Sequence, residues 1–320
     1  MGAQWSQFFP PYPNFTEGDV ESQDGKVFII TGGSSGIGQQ LAKMLYRKKG
    51  RVYIAGRSEE KARLAIRNIR HEVPQGGSLE FLQLNLDDLS SIKASVEVFK
   101  SMESKLHVLW NNAGVSQPPL GSLSAQGIEL QLATNCLGPF LFTTLLLPLL
   151  EKGAAESPPG CTRVVWLCSQ IVELSSPPGG FPMHEVQQPP KDKTRNYVNS
   201  KTGNWFLSSE FARRVGSNGI VSVALNPGAA STNLFRHTPW MAYLAWPLLH
   251  KPELAALTEL YAGISADVKV ENSPNYVVPW GRIGDMRKDL TQATKPREDG
   301  GSGRAEEFWR FCENKTQDYL

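Results

Sequence analysis

The stretch VFIITGGSSGIG, residues 27–38, decides the fold of this chain. It opens with an apolar, largely β-branched run, Val27–Thr31, which favours a buried strand. Glycines follow at once, and residues 38–49 then carry apolar side chains at helical spacing. The stretch therefore predicts a strand, a tight glycine turn and a helix in direct succession.

The glycines of this turn, Gly32, Gly36 and Gly38, follow the spacing G-x-x-x-G-x-G. A glycine turn ahead of a helix lets backbone N–H groups approach a pyrophosphate, and the N-terminus of the helix adds its dipole. A plain tight turn would show the same glycines. The strand–loop–helix context favours a dinucleotide site over that alternative.

Strand and helix patterns alternate behind this unit. Strands are predicted over residues 51–55, 79–86, 108–110, 163–168 and 220–225, and helices over residues 58–72, 89–102, 123–150 and 197–215. The strands are short and show little alternation of polar and apolar residues, which indicates burial on both faces. The pattern predicts an α/β fold, a single doubly wound, Rossmann-type domain with a parallel sheet between helix layers.

The tip of the second strand bears on the choice between NAD and NADP. A ribose 2′-hydroxyl requires an acidic acceptor about 20 residues past the glycines. This chain has Ala55-Gly56-Arg57-Ser58 there and no acid. Arg57 offers a planar fork to a 2′-phosphate and Ser58 a hydroxyl, although an arginine at this place could also be a solvated helix-start residue. We expect NADP as the cofactor.

Three regions are expected along the chain. Residues 1–24, rich in proline and aromatic side chains, form an arm ahead of the domain. Residues 25–293 form the dinucleotide-binding and catalytic domain. Residues 294–320 form a mobile tail, in which a glycine-rich linker precedes a short helix over residues 306–313.

Composition narrows the class of partner. The chain has 320 residues with 33 basic and 31 acidic side chains, and this near balance gives no case for nucleic acid. Its four cysteines and five histidines show neither C-x-x-C nor zinc-ligand spacing, so no metal site is expected. Scattered thiols are typical of a reducing compartment, and we expect a cytoplasmic protein.

The N-terminus leaves a membrane alternative open. It has no basic region followed by an apolar run, which excludes the secretory pattern. The longest apolar candidate, residues 140–150, is too short to span a bilayer and is typical of a core or interface helix. The start Met1-Gly2-Ala3-Gln4-Trp5-Ser6 fits the myristoylation pattern at Gly2. Peripheral membrane contact is therefore an alternative to a purely cytoplasmic location.

Four motifs occur in one order along residues 26–232. They are the glycine loop (residues 32–38), Asn111-Asn112-Ala113-Gly114, Tyr197-Val198-Asn199-Ser200-Lys201 and Asn226-Pro227-Gly228. Together they resemble the short-chain dehydrogenase/reductase family, most of all its branch of retinol-dehydrogenase-like and fungal metabolic reductases. The resemblance implies a seven-stranded doubly wound sheet and nicotinamide chemistry. The resemblance also implies that this chain can form a homo-oligomer, because dimers and tetramers are common in the family.

The resemblance assigns cofactor roles residue by residue. Gly32, Ser35, Gly36, Ile37 and Gly38 are expected to line the phosphates. Asn85, followed by Leu86, stands where the family usually has an adenine-binding Asp, and Asn112 is expected beside the adenosine ribose. Pro227, Gly228, Ala230 and Thr232 match the segment that holds the nicotinamide carboxamide.

The expected catalytic set is Ser169, Tyr197, Lys201 and Asn135. A free tyrosine has a pKa of about 10, and an ammonium one helical turn away is expected to lower the pKa of Tyr197. Lys201 and Tyr197 would also contact the cofactor. Ser169 would bind the carbonyl oxygen, and the resemblance implies that Asn135 holds a water on the proton path.

Two segments are expected to cover the substrate. Residues 170–196 form a long, proline-rich insert between the serine and the tyrosine, and residues 233–250 are rich in aromatic side chains. An apolar, medium-sized ketone, aldehyde or alcohol would suit them. A passive surface loop, ordinary core packing and a membrane-contacting patch are the competing interpretations.

Three functions remain open from the sequence. The first is an NADP-dependent ketone or aldehyde reductase, in specialised metabolism. The second is a retinol- or steroid-type alcohol dehydrogenase. The third is a catalytically silent NADP-binding protein, against which the intact set of Ser169, Tyr197 and Lys201 argues.

Overall fold

The computed structural model describes residues 2–238, 240, 243 and 248–320, and in these residues eight strands form one sheet. The strands are β1 (Val27–Thr31), β2 (Arg51–Gly56), β3 (Ser78–Gln83), β4 (Val108–Asn111), β5 (Thr162–Leu167), β6 (Ile220–Leu225), β7 (Asn275–Val278) and β8 (Arg282–Gly284). Their order across the sheet is β3-β2-β1-β4-β5-β6-β7-β8. This order reverses direction at β1 and β4, as in a doubly wound fold.

The sheet confirms the expected fold class and extends it by one strand. All neighbouring strands pair in parallel except β7 and β8, which are antiparallel with Val277 opposite Ile283. A tight turn joins these two strands and contains Gly281 at a φ of +81°. A two-stranded hairpin needs only such a turn, so the chain adds an edge strand to the expected seven without a crossover helix.

Helices cover both faces of the sheet. They are α1 (Gly2–Phe8), α2 (Gly36–Arg47), α3 (Glu59–Glu72), α4 (Leu89–Met102), α5 (Leu130–Ala155), α6 (Gln170–Ser175), α7 (His184–Gln187), α8 (Lys193–Val215), α9 (Pro252–Ile264), α10 (Lys288–Thr294) and α11 (Arg304–Thr316). Side chains of β1 alternate between two cores. Ile29 packs with α4, α5 and α8, whereas Phe28 and Ile30 pack with α2, α3 and α9.

Helix α5 begins and ends later in the chain than the predicted helix over residues 123–150. Among the described residues it is the one helix with the length and composition to cross a membrane, with a mean hydropathy of 1.5 in its most apolar window. Of that window, 72% is buried inside the fold. Core helices pass the same test, so this helix is weak evidence for a membrane span.

The N-terminal segment differs from the expected arm, because α1 packs onto the domain. Gln7 is only 4% exposed. Arg282 donates a 2.9 Å hydrogen bond to the backbone oxygen of Ser6, and a ring nitrogen of His250 lies 3.3 Å from the backbone oxygen of Phe8. Polar groups of the domain thus hold a segment that composition alone indicated to be separate.

The C-terminal segment likewise differs from the expected mobile tail. Phe308, Trp309 and Cys312 of α11 are buried. The ring of Trp309 lies 4.8 Å from that of Phe140 on α5, edge to face. Because an aromatic helix face gains free energy by burial, α11 is part of the core rather than a linker-borne helix.

Candidate active site

Tyr197 and Lys201 lie on the face of α8 that packs against the sheet. Helix α8 begins four residues before Tyr197, where the carboxylate of Asp192 accepts hydrogen bonds from the backbone N–H groups of Thr194 and Arg195. Tyr197 is 6% exposed and Lys201 is 5% exposed. The cap fixes where the helix starts, and the spacing of one turn then places both side chains on one face.

Ser169 lies beside the hydroxyl of Tyr197. It lies two residues after β5 and caps α6, with its hydroxyl accepting a 3.4 Å hydrogen bond from the N–H of Ile171. The same side chain is close enough to the hydroxyl of Tyr197 to lower the pKa of that tyrosine. The structure therefore brings together two residues that are 28 positions apart in the sequence.

The ammonium group of Lys201 is anchored behind the tyrosine. Its Nζ donates a 2.9 Å hydrogen bond to the backbone oxygen of Leu167, the last residue of β5. The amide of Asn204 donates to the same oxygen at 2.7 Å. Lys201 Nζ lies 5.9 Å from the centre of the Tyr197 ring.

Asn135 lies in a π-helical turn, residues Ala133–Leu137, near the start of α5. Its amide group is fully engaged, because Oδ1 accepts from the N–H of Val115 at 2.8 Å and Nδ2 donates to Ser200 Oγ at 2.9 Å. A methyl group placed on Gly114 would lie 3.2 Å from Asn135 Oδ1 and 3.5 Å from Lys201 Nζ. Gly114 therefore separates these two polar groups at close range, and π-turns of this kind are frequent at functional sites.

The pKa of Tyr197 departs from the expected direction. Burial raises the pKa of its hydroxyl, and the hydrogen bond from Ser169 opposes that rise. Burial also lowers the pKa of the Lys201 ammonium. Desolvation is the largest influence on both groups, so the pKa of Tyr197 is raised here rather than lowered as expected.

The glycine loop fits a dinucleotide phosphate. Helix α2 starts at Gly36, and the structure gives its cap residue, Ser35, no side-chain hydrogen bond within the described residues. Gly32 and Gly36 take φ values of +69° and +57°, which favour glycine. A methyl group on Gly38 would lie 2.6 Å from Asn112 Nδ2. Only glycines permit this close packing, which leaves the N–H groups of the first helical turn available to an anion.

Ile37 and Asn112 support the loop from the protein side. Ile37 packs against the cluster of Ala230, Ala255 and Trp280. Asn112 Nδ2 donates a 2.7 Å hydrogen bond to the backbone oxygen of Thr31. Asn112 thus connects the end of β4 to the start of the loop, in addition to the ribose contact that the resemblance implies.

Asn85 and Leu86 follow β3 at the same edge of the sheet. Leu86 is 5% exposed and forms part of the core. The Oδ1 atom of Asn85 is buried and has no hydrogen-bond partner among the described residues. A buried acceptor without a donor is unfavourable, and an adenine amino group would supply the donor.

Arg57 and Ser58 occupy the tip of β2. Ser58 caps α3 by accepting a hydrogen bond from the N–H of Lys61. Arg57 Nη1 donates a 2.7 Å hydrogen bond to Asp87 Oδ2, and its side chain is 62% exposed. Arg236 lies within electrostatic range, since burial and then the charge of Arg57 lower the pKa of its guanidinium. Sequence patterns gave no signal for Arg236.

The segment expected at the nicotinamide follows β6. Gly228 takes a φ of +83° directly after Pro227, and its N–H donates a 3.0 Å hydrogen bond to Asn226 Oδ1. Ala230 forms a bridge with His250. A methyl group on Gly36 would lie 3.2 Å from the side chain of Thr232, so this segment reaches the glycine loop.

The insert over residues 170–196 packs largely away from Tyr197. Glu185 of α7 pairs with Arg195 at 2.7 Å and accepts a hydrogen bond from Asn199 Nδ2 at 2.7 Å. Asn199 lies about 200° around α8 from Tyr197. Phe181 is fully buried against Phe206 and Phe308. These parts of the insert therefore pack against α8 and α11.

The second expected cover, residues 233–250, is described only in part. Positions 239, 241, 242 and 244–247 lie outside the described residues. Trp240 and Tyr243 are 62% and 83% exposed. Both are large apolar side chains that lie open to solvent.

Sequence reasoning missed a buried polar group beside the site. Glu173 on α6 is 7% exposed and contacts Gln7 of α1 and Tyr276 of β7. These residues are separated by more than 100 positions, and no local motif connects them. Only the tertiary fold could reveal the cluster.

Comparison with known proteins places the chain in a family. A family model described as short chain dehydrogenase matches residues 26–241. A short-chain dehydrogenase/reductase of Phomopsis amygdali is 44% identical over 324 residues, covering 99% of this chain and 97% of that protein. An uncharacterised protein of Mycobacterium paratuberculosis has a solved structure with a TM-score of 0.69, 26% identity and coverage of 95% of this chain and 98% of that one.

Two further structures carry nicotinamide nucleotides. Pseudomonas aeruginosa RhlG, in an NADP complex, shows a TM-score of 0.61 at 23% identity, with coverage of 77% of this chain and 92% of that one. A 3-ketoacyl-(acyl-carrier-protein) reductase of Brucella melitensis, in complex with NADH, shows a TM-score of 0.61 at 22% identity over 77% and 93% of the two chains. At this identity they show the fold alone. From the family match and the close relative, the chain belongs to the short-chain dehydrogenase/reductase family of oxidoreductases.

Proposed function

We propose that the protein is an NADP-dependent reductase of an apolar, medium-sized ketone or aldehyde. The observation that carries the proposal is the closeness of the Ser169 side chain to the Tyr197 hydroxyl, with Lys201 anchored one turn along the same helix. Because the hydroxyls of Ser169 and Tyr197 lie next to each other, both can donate a hydrogen bond to the same carbonyl oxygen. We place this activity in specialised metabolism, as in the fungal metabolic reductases that the motifs resemble. A retinol-type alcohol dehydrogenase is the alternative.

The residues of the chain supply orientation and a proton. A bound nicotinamide supplies the hydride. Ser169 would hydrogen-bond the carbonyl oxygen and hold it beside the phenolic O–H of Tyr197. As negative charge grows on that oxygen, the tyrosine hydroxyl would donate its proton. The ammonium form of Lys201 would then stabilise the phenolate oxygen that remains.

The raised pKa of the tyrosine bears on the direction of the reaction. Because burial raises the pKa of Tyr197, its hydroxyl keeps its proton at neutral pH. A protonated tyrosine is ready to act as an acid, which suits carbonyl reduction. Oxidation of a retinoid or steroid alcohol would need the same group as a base, for which it would first have to lose this proton.

The preference for NADP is supported by charge at the tip of β2. Arg57 is held by Asp87, and Arg236 lies near it. Two guanidinium groups within electrostatic range of each other suit a 2′-phosphate dianion better than a 2′-hydroxyl. Asp87 is the competing feature, since a carboxylate would suit a hydroxyl, but it is already paired with Arg57.

We further propose a cytoplasmic location with peripheral membrane contact as the alternative. The thiols of Cys136, Cys168 and Cys312 are buried and free, as in a reducing compartment. Trp240 and Tyr243 are exposed, and either a lipid surface or an apolar substrate could use them. Cell fractionation of the full chain beside a Gly2→Ala variant tests the membrane alternative.

A substrate screen tests the proposed reaction. The purified protein is incubated with NADPH and a panel of apolar ketones and aldehydes, and separately with NADP and the matching alcohols. We expect NADPH oxidation with at least one carbonyl, at higher kcat/KM than the reverse reaction. Turnover of alcohols alone would favour the retinol-type reaction. Tight NADPH binding without any turnover would favour the silent binding protein.

A further inference from the structure

The side chain of Gln7 extends from α1 into the interior of the domain. It is 4% exposed. Its Nε2 lies 3.0 Å from Oε1 and 3.2 Å from Oε2 of Glu173, to which it donates. Its Oε1 accepts a 2.8 Å hydrogen bond from Asn226 Nδ2. One amide therefore connects two segments that follow neighbouring strands of the sheet, β5 and β6.

The first of these segments is the helix that Ser169 caps. Glu173 lies four residues after Ser169 on α6 and is 7% exposed. Besides Gln7, the hydroxyl of Tyr276 donates a 2.8 Å hydrogen bond to its Oε1. A buried carboxylate is unfavourable unless donors surround it, so Gln7 and Tyr276 fix the position of this helix.

The second segment is the one expected at the nicotinamide. Asn226 is 2% exposed, and its Oδ1 accepts a 3.0 Å hydrogen bond from the N–H of Gly228. Gln7 determines which side of the Asn226 amide faces Gly228, because it accepts from Nδ2 and leaves Oδ1 for the turn. The conformation of the Gly228 turn thus depends on a residue of α1.

The helix that carries Gln7 is not contributed by the common family fold. The short chain dehydrogenase match begins at residue 26, and Tyr276 lies beyond its end at residue 241. Arg282 and His250 hold the α1 backbone on either side of Gln7. The N-terminal helix, which lies outside the family match, and strand β7 therefore meet at the buried carboxylate of Glu173.

We propose that Gln7 is a positioning residue, through which α1 sets the relative orientation of the Ser169 helix and the Gly228 turn. The proposal rests on the proposed function, since the two segments serve one carbonyl and one nicotinamide. Gln7 touches neither in this account. Its loss should weaken NADPH binding and reduce the fraction of bound cofactor that is aligned for transfer.

The test begins with Gln7→Leu, which keeps the size of the side chain and removes its hydrogen bonds. We expect the Kd for NADPH to rise and kcat/KM to fall, each by about ten-fold. Trp5→Ala is the matched control, because Trp5 lies on the same helix with its side chain 66% exposed. That variant should retain the wild-type Kd and kcat/KM.

Exchanging the side chains of Gln7 and Glu173 distinguishes an effect on the position of the site from an effect on folding alone. In Gln7→Glu, two carboxylates face each other, and activity should fall as pH rises and their shared proton is lost. The other groups facing this pair are Tyr276 from β7, Cys168 at the end of β5 and the guanidinium of Arg287, which interacts with Glu173.

The double variant Gln7→Glu with Glu173→Gln should recover activity. The carboxylate introduced at position 7 would accept from Asn226 and from the new amide at position 173, whose oxygen would accept from Tyr276. One hydrogen bond between positions 7 and 173 and the hydrogen bonds from Asn226 and Tyr276 are then restored with the roles of the two positions reversed. The value of kcat/KM should therefore return to within about three-fold of wild type, with a wild-type pH profile.

Three results would overturn the proposal. One is Gln7→Leu with an unchanged NADPH Kd and kcat/KM. Another is Gln7→Glu with a wild-type pH profile. The third is a double variant that thermal melting shows to be folded but whose kcat/KM does not recover. The NADPH titration needs no substrate, so it tests Gln7 even if the carbonyl screen fails.

Discussion

At the scale of single residues, Arg57 carries the argument for NADP. Its guanidinium is oriented by Asp87 at 2.7 Å and remains 62% exposed. Arg57→Ala should weaken NADPH binding by about ten-fold or more and leave NADH binding unchanged, because only the former has a 2′-phosphate. Titration of cofactor fluorescence measures both constants.

Arg63→Ala is the matched control for that change. Arg63 is 63% exposed and pairs with Glu59 on the adjoining helix α3. It should leave both cofactors unaffected. Equal weakening of NADPH and NADH by Arg57→Ala would contradict a 2′-phosphate contact and indicate a general effect on the adenosine side.

Glu259 is a second residue with a measurable consequence. It is fully buried on α9, and within the described part of the chain neither of its carboxyl oxygens has a hydrogen-bond partner. Burial raises its pKa from 4.5 to about 8. The folded state therefore holds a proton that the unfolded state releases, so the free energy of unfolding should decrease as pH rises from about 4.5 to 8.

Replacing this carboxyl by an amide should remove that dependence. Glu259→Gln should be more stable than the wild type at pH 8, by on the order of 3 kcal/mol, and similar to it near pH 5. Urea unfolding at the two pH values measures the difference. An identical pH slope in both proteins would show that Glu259 is ionised in the folded state.

At the scale of elements, the sequence patterns located strands better than helix starts. Val27–Thr31 and Ile220–Leu225 were predicted with the bounds that the structure has. Helix α8 begins four residues earlier than the pattern indicated, because its cap, Asp192, follows a proline-rich stretch without apolar periodicity. The elements after residue 250 carry no family motif, so neither β8 nor the packing of α11 could be foreseen.

The candidate site also has a part that the sequence predicted and a part that it could not. Motifs predicted the residues whose chemistry is local to a loop or one helical turn, such as Tyr197 with Lys201. They could not predict the direction of the tyrosine pKa, because desolvation depends on the packed surroundings. They also gave no sign of Gln7 and Glu173, which are 166 positions apart.

At the scale of the whole molecule, α11 closes the outer side of α5 and α8. Phe308 lies against Phe181, with ring centres 5.1 Å apart, and against Gly203, where a methyl group would lie 2.9 Å from its ring. Phe308→Ala should reduce the free energy of unfolding by about 3–5 kcal/mol. Urea unfolding measures this, with Arg310→Ala as the control, since that side chain is 69% exposed.

A loss below about 1 kcal/mol in Phe308→Ala would mean that α11 is only loosely attached, as a mobile tail would be.

The expected homo-oligomer stays a prediction. A second copy would have to use another surface than the face of α5 and α8 that α11 covers. Light scattering of the full chain decides the oligomeric state.

The central claim is that Tyr197 donates the proton to a carbonyl. Tyr197→Phe removes one oxygen from a side chain that is 6% exposed, and Tyr12→Phe removes the same atom from one that is 86% exposed. The measurement is the single-turnover rate of NADPH oxidation with an active carbonyl, together with the NADPH Kd. Tyr197→Phe should lose about 10²–10⁴-fold in rate, far more than any loss in NADPH affinity, whereas Tyr12→Phe should match the wild type. A Tyr197→Phe protein that binds NADPH normally and retains the wild-type rate would contradict the account.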